Sequence, residues 1–240
     1  MASRKRFNFR RVASIFLVAA FVLLLVPPVQ VALAVFRDPP IVPMRLQRKV
    51  EAWMSGKRFE EAPFRRVALK NIPEEFIHFV WASEDQTFFK HRGFDIPRIR
   101  QAIDEARDRE RETRAVSTIT MQCARSLFLW QQRSYLRKAL EAYYTIWMEL
   151  FMSKKRILEL YLNNVEFGPG IYGIGTAAEE YFATTPDRLT RSQMLGLAAI
   201  LPNPLRWSPV RPNGAVLRKI RRVERLSSRA PFPSEELSGR

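Results

Sequence analysis

The chain has 240 residues, of which 47% are hydrophobic and 12% aromatic. That is enough for a packed core and excludes wholesale disorder. The formal charge of +16 calls for anionic partners (nucleic acid, anionic lipid headgroups or phosphorylated substrates) without choosing among them. A single cysteine, Cys123, excludes an intramolecular disulfide and any zinc site built on clustered cysteines.

The charge is concentrated at the ends. Arg4, Lys5, Arg6, Arg10 and Arg11 stand in the first 11 residues with no acid, and residues 206–240 carry a net +6. Between Val12 and Phe36 lie 25 positions without a charge, broken by Pro27 and Pro28. At ~1.5 Å per residue a helix of that length crosses a ~30 Å hydrocarbon core. The basic flank then keeps the N-terminus in the cytoplasm and exports the rest. The alternative is a cleaved leader ending at Ala32-Leu33-Ala34. Span length favours the anchor, and both readings put residues 37–240 outside.

Beyond residue 40 the pattern is mainly helical. Pro73 opens EEFIHFVWASED with apolar residues at helical spacing, and Asp95 is placed to cap a helix through Ile99 and Ile103. Ala106–Arg114 is highly charged and reads as a solvated helix end or loop. Ser117 and Thr118 open a further apolar helix. Leu136, Leu140, Tyr143, Trp147, Leu150 and Phe151 mark a long one, and a shorter one runs through Ile157 and Leu160–Leu162. NNVEFGPGIYGIG reads as a loop, because its glycines and proline break regular structure. Thr190 with Gln193 makes a capping box, and Pro202 stops the helix that follows. The Pro- and Arg-rich end contains a basic helix near Val216–Leu226, read equally as a solvated tail or as a segment lying on anionic lipid. No strand-like alternation is sustained.

Three clusters carry chemistry. Glu84 and Asp85 end an apolar helix beside Phe88, Phe89 and Phe94, with His91 close by; an apolar setting raises a carboxyl pKa and suits acid/base work. The bland alternative makes them surface acids and His91 a structural histidine. The helix opened by Ser117 and Thr118 offers N–H groups and hydroxyls that suit a phosphate, followed by Arg125, Arg133, Arg137 and Lys138. Its alternative is an ordinary capped helix with a basic face. Glu141 sits at the edge of the long helix's apolar stripe and Glu149 about 80° around from it; either suits a solvent-facing helix acid as well.

Together these segments resemble the glycosyltransferase domain of monofunctional peptidoglycan glycosyltransferases and class A penicillin-binding proteins. The resemblance rests on ASED..FF.H.GFD at Ala82–Asp95, STIT.Q at Ser117–Gln122 and RK..E at Arg137–Glu141, then on Ser153–Phe182 and Leu189–Pro204. It covers about residues 60–210 in order. It implies a mainly α fold, a lysozyme-like lobe beside a smaller membrane-proximal lobe, after one transmembrane helix. The chain ends too soon for a transpeptidase domain, which points to the monofunctional type. The expected division is 1–11 cytoplasmic, 12–36 transmembrane anchor, 37–210 glycosyltransferase domain and 211–240 basic tail.

By the same resemblance Glu84 is the general base and Glu141 the second catalytic glutamate, which organises the pyrophosphate site. Ser117, Thr118, Gln122, Arg125 and Arg133 match donor-binding positions, and Asp85, Phe88 and His91 the supporting motif. The implied reaction joins lipid II units through β-1,4 bonds with inversion and releases undecaprenyl pyrophosphate. No cofactor is obligatory, though a divalent cation (Mg or Mn) suits the pyrophosphate. The implied partners are lipid II, the glycan strand, membrane lipids and cell-division or elongation proteins, and no nucleic acid. The implied place is the inner membrane with the catalytic domain in the periplasm. The family usually has two small residues where this chain has Ala115-Val116, Gln where it has Met121, and Asn where it has Ser126. Two competing readings are a glycan-cleaving lysozyme-like enzyme and a non-catalytic or low-activity scaffold.

Overall fold

A computed structural model of the protein describes residues 9–56, 58–108, 116–132 and 134–238. Among these, eleven α-helices and one small hairpin make a mainly helical fold, as the spacing of apolar residues predicts. Helix α1 (Phe9–Phe36) precedes α2 (Pro43–Met54). Helix α3 (Glu74–Glu84) leads through a loop to α4 (Ile96–Asp108). Then come α5 (Ile119–Phe128), α6 (Tyr135–Phe151), α7 (Lys154–Asn164), α8 (Ile174–Phe182) and α9 (Arg191–Ile200). The chain closes with α10 (Gly214–Arg229) and α11 (Glu235–Ser238).

The core is built on α3, α5, α7 and α9. Phe76, Val80, Leu127, Leu160, Tyr161 and Ala198 are fully buried in one cluster. Helix starts follow the sequence signals. Thr118, Ser134 and Ser153 accept bonds from the backbone N–H three residues on. Thr190 and Gln193 form the reciprocal capping box. Asp95 accepts from Arg98 N at 3.0 Å at the start of α4.

Two expectations need correction. The stretch read as a loop contains an antiparallel hairpin, β1 (Glu166–Gly168) with β2 (Ile171–Tyr172). Pro169 and Gly170 make its tight turn, Gly170 at φ +75°, a conformation that suits glycine. A Cβ on Gly170 would stand 2.2 Å from the Glu60 carbonyl oxygen, so glycine also serves close packing. Breaker residues here set a turn between two very short strands, too brief for any alternation to show. The basic C-terminal stretch is also no loose tail. Asn213 caps α10 through the N–H groups of Ala215 and Val216, and Val216, Val223 and Ser227 are buried. Farther on, Phe232 packs on His78, Trp81 and Phe89.

Helix α1 docks on α6 in its C-terminal half. Val31 and Ala34 belong to the main core. Pro28 has no N–H, so the Leu24 carbonyl four residues earlier loses its helical donor. The Tyr143 hydroxyl donates to that oxygen at 2.8 Å. Tyr144 donates to Gln30 Oε1 at 2.5 Å, and Arg156 to the Ala34 carbonyl at 2.8 Å and 3.1 Å. Tyr143→Phe should therefore cost about 1 kcal/mol. In a Pro28→Ala background, where α1 regains its own bond, the cost should vanish. A double-mutant cycle on thermal unfolding of the detergent-solubilised chain measures this, and equal costs in both backgrounds would refute the clasp.

Among the described residues, no helix is long and apolar enough to cross a membrane. Within α1 the side chains of residues 9–13, 15, 16, 19, 20 and 23 lie outside the description.

Candidate active site

Glu84 is the last residue of α3. Its carboxylate is ringed by donors: Ser83 Oγ at 2.9 Å and Lys219 Nζ at 3.5 Å on Oε1, and Gln122 Nε2 at 3.2 Å on Oε2. Its side chain retains 12% exposure. The aromatic surround expected from ASEDQTFF is not what holds this group, because Phe88 turns fully into the core.

Gln122 is oriented from behind. The Tyr161 hydroxyl donates to Gln122 Oε1 at 3.1 Å, which leaves the amide N–H for Glu84. Burial pushes the Tyr161 phenol well above its usual pKa, and the negative charge of Glu84 adds to it, so the phenol stays protonated as a donor. Arg125 follows Gln122 by three positions on α5, on the same helix face. It is half-buried, and its side chain makes no hydrogen bond or ion pair among the described residues.

Asp85 is 1% exposed. It accepts from the Ile119 backbone N–H at 3.0 Å, from Thr87 Oγ1 at 3.2 Å and from His91 Nε2 at 3.0 Å. His91 Nδ1 accepts from Gly93 N, which assigns the ring proton to Nε2. Thr118 caps α5 and donates to the Gly93 carbonyl at 2.7 Å, itself 2% exposed. Asp85, Phe88 and Thr118 therefore lie behind the site and tie the loop after α3 to the start of α5. Asp85 and Phe88 match the supporting motif in the sequence, and Thr118, matched there to a donor-binding position, is buried with them.

The second cluster is on α6. Glu141 is fully buried, accepting from Arg137 Nη1 at 2.9 Å and Lys138 Nζ at 2.7 Å. Arg137 also donates to the Gln132 carbonyl at 2.8 Å, and Lys138 to Ser117 Oγ at 3.4 Å. The Lys138 side chain is 43% exposed, so this cation faces outward while its counter-ion is inside. Both oxygens of Glu141 are engaged, so in this arrangement it is a buried counter-ion to Arg137 and Lys138. Glu149 is no solvent-facing acid either: it accepts from Thr120 Oγ1 at 2.5 Å and Lys154 Nζ at 2.7 Å.

Arg133 and Ala115 lie outside the described residues. Sequence reasoning missed Lys219, Tyr161 and Ser83. Lys219 is 135 positions from Glu84, and no local pattern could pair them. Among the described residues no group of three or more acidic, histidine or cysteine side chains could hold a metal ion. The only cysteine is buried, and burial pushes its thiol pKa up, so it is an inert core residue.

The domain is mainly helical, with a partly exposed carboxylate at the end of α3 and, on α6, two cations held by a buried acid. Comparison with known proteins gives the family. A model of the transglycosylase family matches residues 52–227. Proteins named biosynthetic peptidoglycan transglycosylase are similar to this chain. The one from Pseudomonas putida (strain GB-1) is 42% identical over 208 residues, 85% of this chain and 86% of that protein. The one from Caulobacter vibrioides is 38% identical over 218 residues, 91% and 92% of the two. The one from Pseudomonas aeruginosa is 42% identical over 184 residues, 76% and 78%. The chain belongs to the transglycosylase family and is an enzyme that transfers glycosyl groups.

Proposed function

We propose that the chain polymerises lipid II into β-1,4-linked glycan strands, with Glu84 as general base. The observation that carries this is the donor-ringed, partly exposed carboxylate of Glu84 at the end of α3, and the cations Arg137 and Lys138 held on α6 by the buried Glu141 support it. Glu84 takes the proton from the 4-hydroxyl of the acceptor sugar as that oxygen attacks the donor's anomeric carbon. The donor's bond to undecaprenyl pyrophosphate breaks and the anomeric configuration inverts. Arg125, Lys138 and Ser117 face the departing pyrophosphate, whose negative charge they stabilise; Arg133, matched to the same role by sequence, lies outside the described residues. With the charge met in this way, no strong general acid is required. Asp85, His91, Phe88 and Thr118 keep α3 and α5 in register.

No cofactor is obligatory in this reading, and a Mg2+ or Mn2+ ion is an optional partner of the pyrophosphate oxygens. Residues 12–36 form a single-pass anchor in the inner membrane, with the domain on the periplasmic side. The uncharged run supports this, as do the exposed Leu17, Val18, Phe21 and Leu24 and the docking of Val31 and Ala34, which makes the end of α1 part of the fold rather than a removable leader. Residues 1–11 remain cytoplasmic, and the catalytic unit extends past 210 to include α10, which supplies Lys219. A smaller membrane-proximal lobe beside a lysozyme-like one, and division or elongation proteins as partners, complete the reading.

The decisive experiment incubates the detergent-solubilised chain with labelled lipid II and separates products by size. Polymer formation supports the proposal; release of soluble fragments from purified sacculi without polymer would overturn it in favour of a glycan-cleaving enzyme.

Two smaller predictions follow from the site. Lys219→Met should slow polymerisation roughly tenfold, the value of one hydrogen bond to a charged group, while Lys219→Arg retains most of the rate. Equal rates for wild type and Lys219→Met would remove Lys219 from the site. Met121 is 4% exposed, so its side chain packs inward. Met121→Gln should then bury an amide and destabilise the domain by about 1–3 kcal/mol without raising turnover, measured by thermal unfolding and initial rate.

A further inference from the structure

We infer that the outward face of α10 is a second membrane contact that binds the anionic surface of the bilayer. This rests on the reading of the chain as bilayer-anchored but is separate from its chemistry. Helix α10 is fixed, not floating. Asn213 caps it, and Val216, Val223 and Ser227 bury one side against the domain. At 100° per residue, Arg218, Arg221, Arg222, Arg225 and Arg229 fall within an arc of about 100° on the opposite side. All five are exposed, and none makes an ion pair among the described residues. The one acid of the helix, Glu224, lies off this stripe and is paired with Arg191.

A row of five like charges about 16 Å long, without counter-ions, attracts a dense negative surface. Exposed apolar side chains choose the bilayer among such surfaces. Leu217 flanks the stripe, and Leu205 and Val210 precede it, at 42%, 43% and 47% exposure. Basic side chains interleaved with apolar ones suit the boundary between headgroups and acyl chains, where each kind finds its own medium. A nucleic acid or a neutral glycan gives those three side chains no apolar partner.

Position gives the contact a use. Lys219 sits on the same helix about 100° from the centre of the stripe and reaches Glu84. The stripe therefore flanks the site, and seating it on headgroups holds the opening level with the surface from which a lipid-linked substrate arrives. Helix α1 alone fixes one point of the domain; α10 supplies another, which limits tilting about the anchor.

The test uses the full chain reconstituted in vesicles and does not depend on polymerase activity. An environment-sensitive fluorophore is placed on Ser228→Cys, beside the stripe, and as a control on Glu180→Cys in α8. Both positions are exposed, and Cys123 is buried. Accessibility to aqueous acrylamide is compared in zwitterionic vesicles and in vesicles with about 30% anionic lipid. The expected result is a roughly threefold fall in quenching at position 228 with anionic lipid only, reversed at about 0.5 M salt and unchanged at position 180. Changing the five arginines to glutamine should abolish the protection, and a single change should weaken the association about fivefold. Equal quenching in both vesicle types overturns the inference, as does protection that neither salt nor the glutamine variant affects. Salt-sensitive binding of a DNA oligonucleotide with no lipid protection would overturn it in favour of a nucleic-acid surface. Failure of the chain to float with zwitterionic vesicles would instead sink the anchor reading on which it rests.

Discussion

Glu84→Gln should reduce lipid II polymerisation by about 10²- to 10⁴-fold, the usual contribution of a positioned general base, while substrate binding survives. The geometry explains why the isosteric change is damaging. Three donors converge on two carboxylate oxygens: Ser83 and Lys219 on one and Gln122 on the other. A glutamine can present only one oxygen to them, so its NH2 must face either the Gln122 amide or the Lys219 ammonium. Gln122 cannot turn to compensate without losing the oxygen that Tyr161 bonds. The variant should nonetheless fold normally, because the group is partly exposed and not a core element. A labelled-substrate assay beside a thermal melt separates the two effects. Undiminished polymer from Glu84→Gln would reject Glu84 as the base and revive the scaffold reading.

Glu141→Ala should fail in a different way, by losing stability and activity together. Glu141 is fully buried, and Arg137, whose side chain is 9% exposed, depends on it for charge compensation. Removing one partner of such a pair leaves an uncompensated interior cation, which typically costs about 3–5 kcal/mol. For a domain of this size that lowers the apparent Tm by roughly 10 °C. Lys138, released from its 2.7 Å bond, loses its fixed position. Glu141→Gln keeps the volume and one acceptor, so it should melt between the wild type and the alanine variant. Measured melts and initial rates check both. A Glu141→Ala protein with wild-type Tm and lost activity would show that the carboxylate acts on substrate rather than through its cations.

Both glutamates are legible as candidates in the segments around them, and the match of several motifs in order points to the family from sequence. Helix positions were equally legible. The N-caps at Thr118 and Thr190, the cap at Asp95 and the stops at prolines are local events, decided by residues within one turn of each other. The hairpin at Glu166–Tyr172 was not legible, because strands of three and two residues offer too few positions for a period of two. Helix α10 is legible as a basic helix, but its docking is not, because the burial of Val216 and Val223 depends on the distant elements they pack against.

The sequence by itself determined the family, the mainly helical class and the uncharged N-terminal run, and it singled out Glu84 and Glu141 as candidates, because each depends on residue type at short spacing. Tertiary structure alone decided how these residues work together. It set Lys219 and Tyr161 around Glu84, turned Asp85 and Thr118 into a clamp behind the site, and made Glu141 a buried counter-ion. It also gave the carbonyl that Pro28 leaves open to Tyr143. These partners lie 25 to 135 positions apart, apart from the Arg137–Glu141 pair within one helix turn. Burial and charge compensation act through space, so only the packed chain brings such groups within a bond's length.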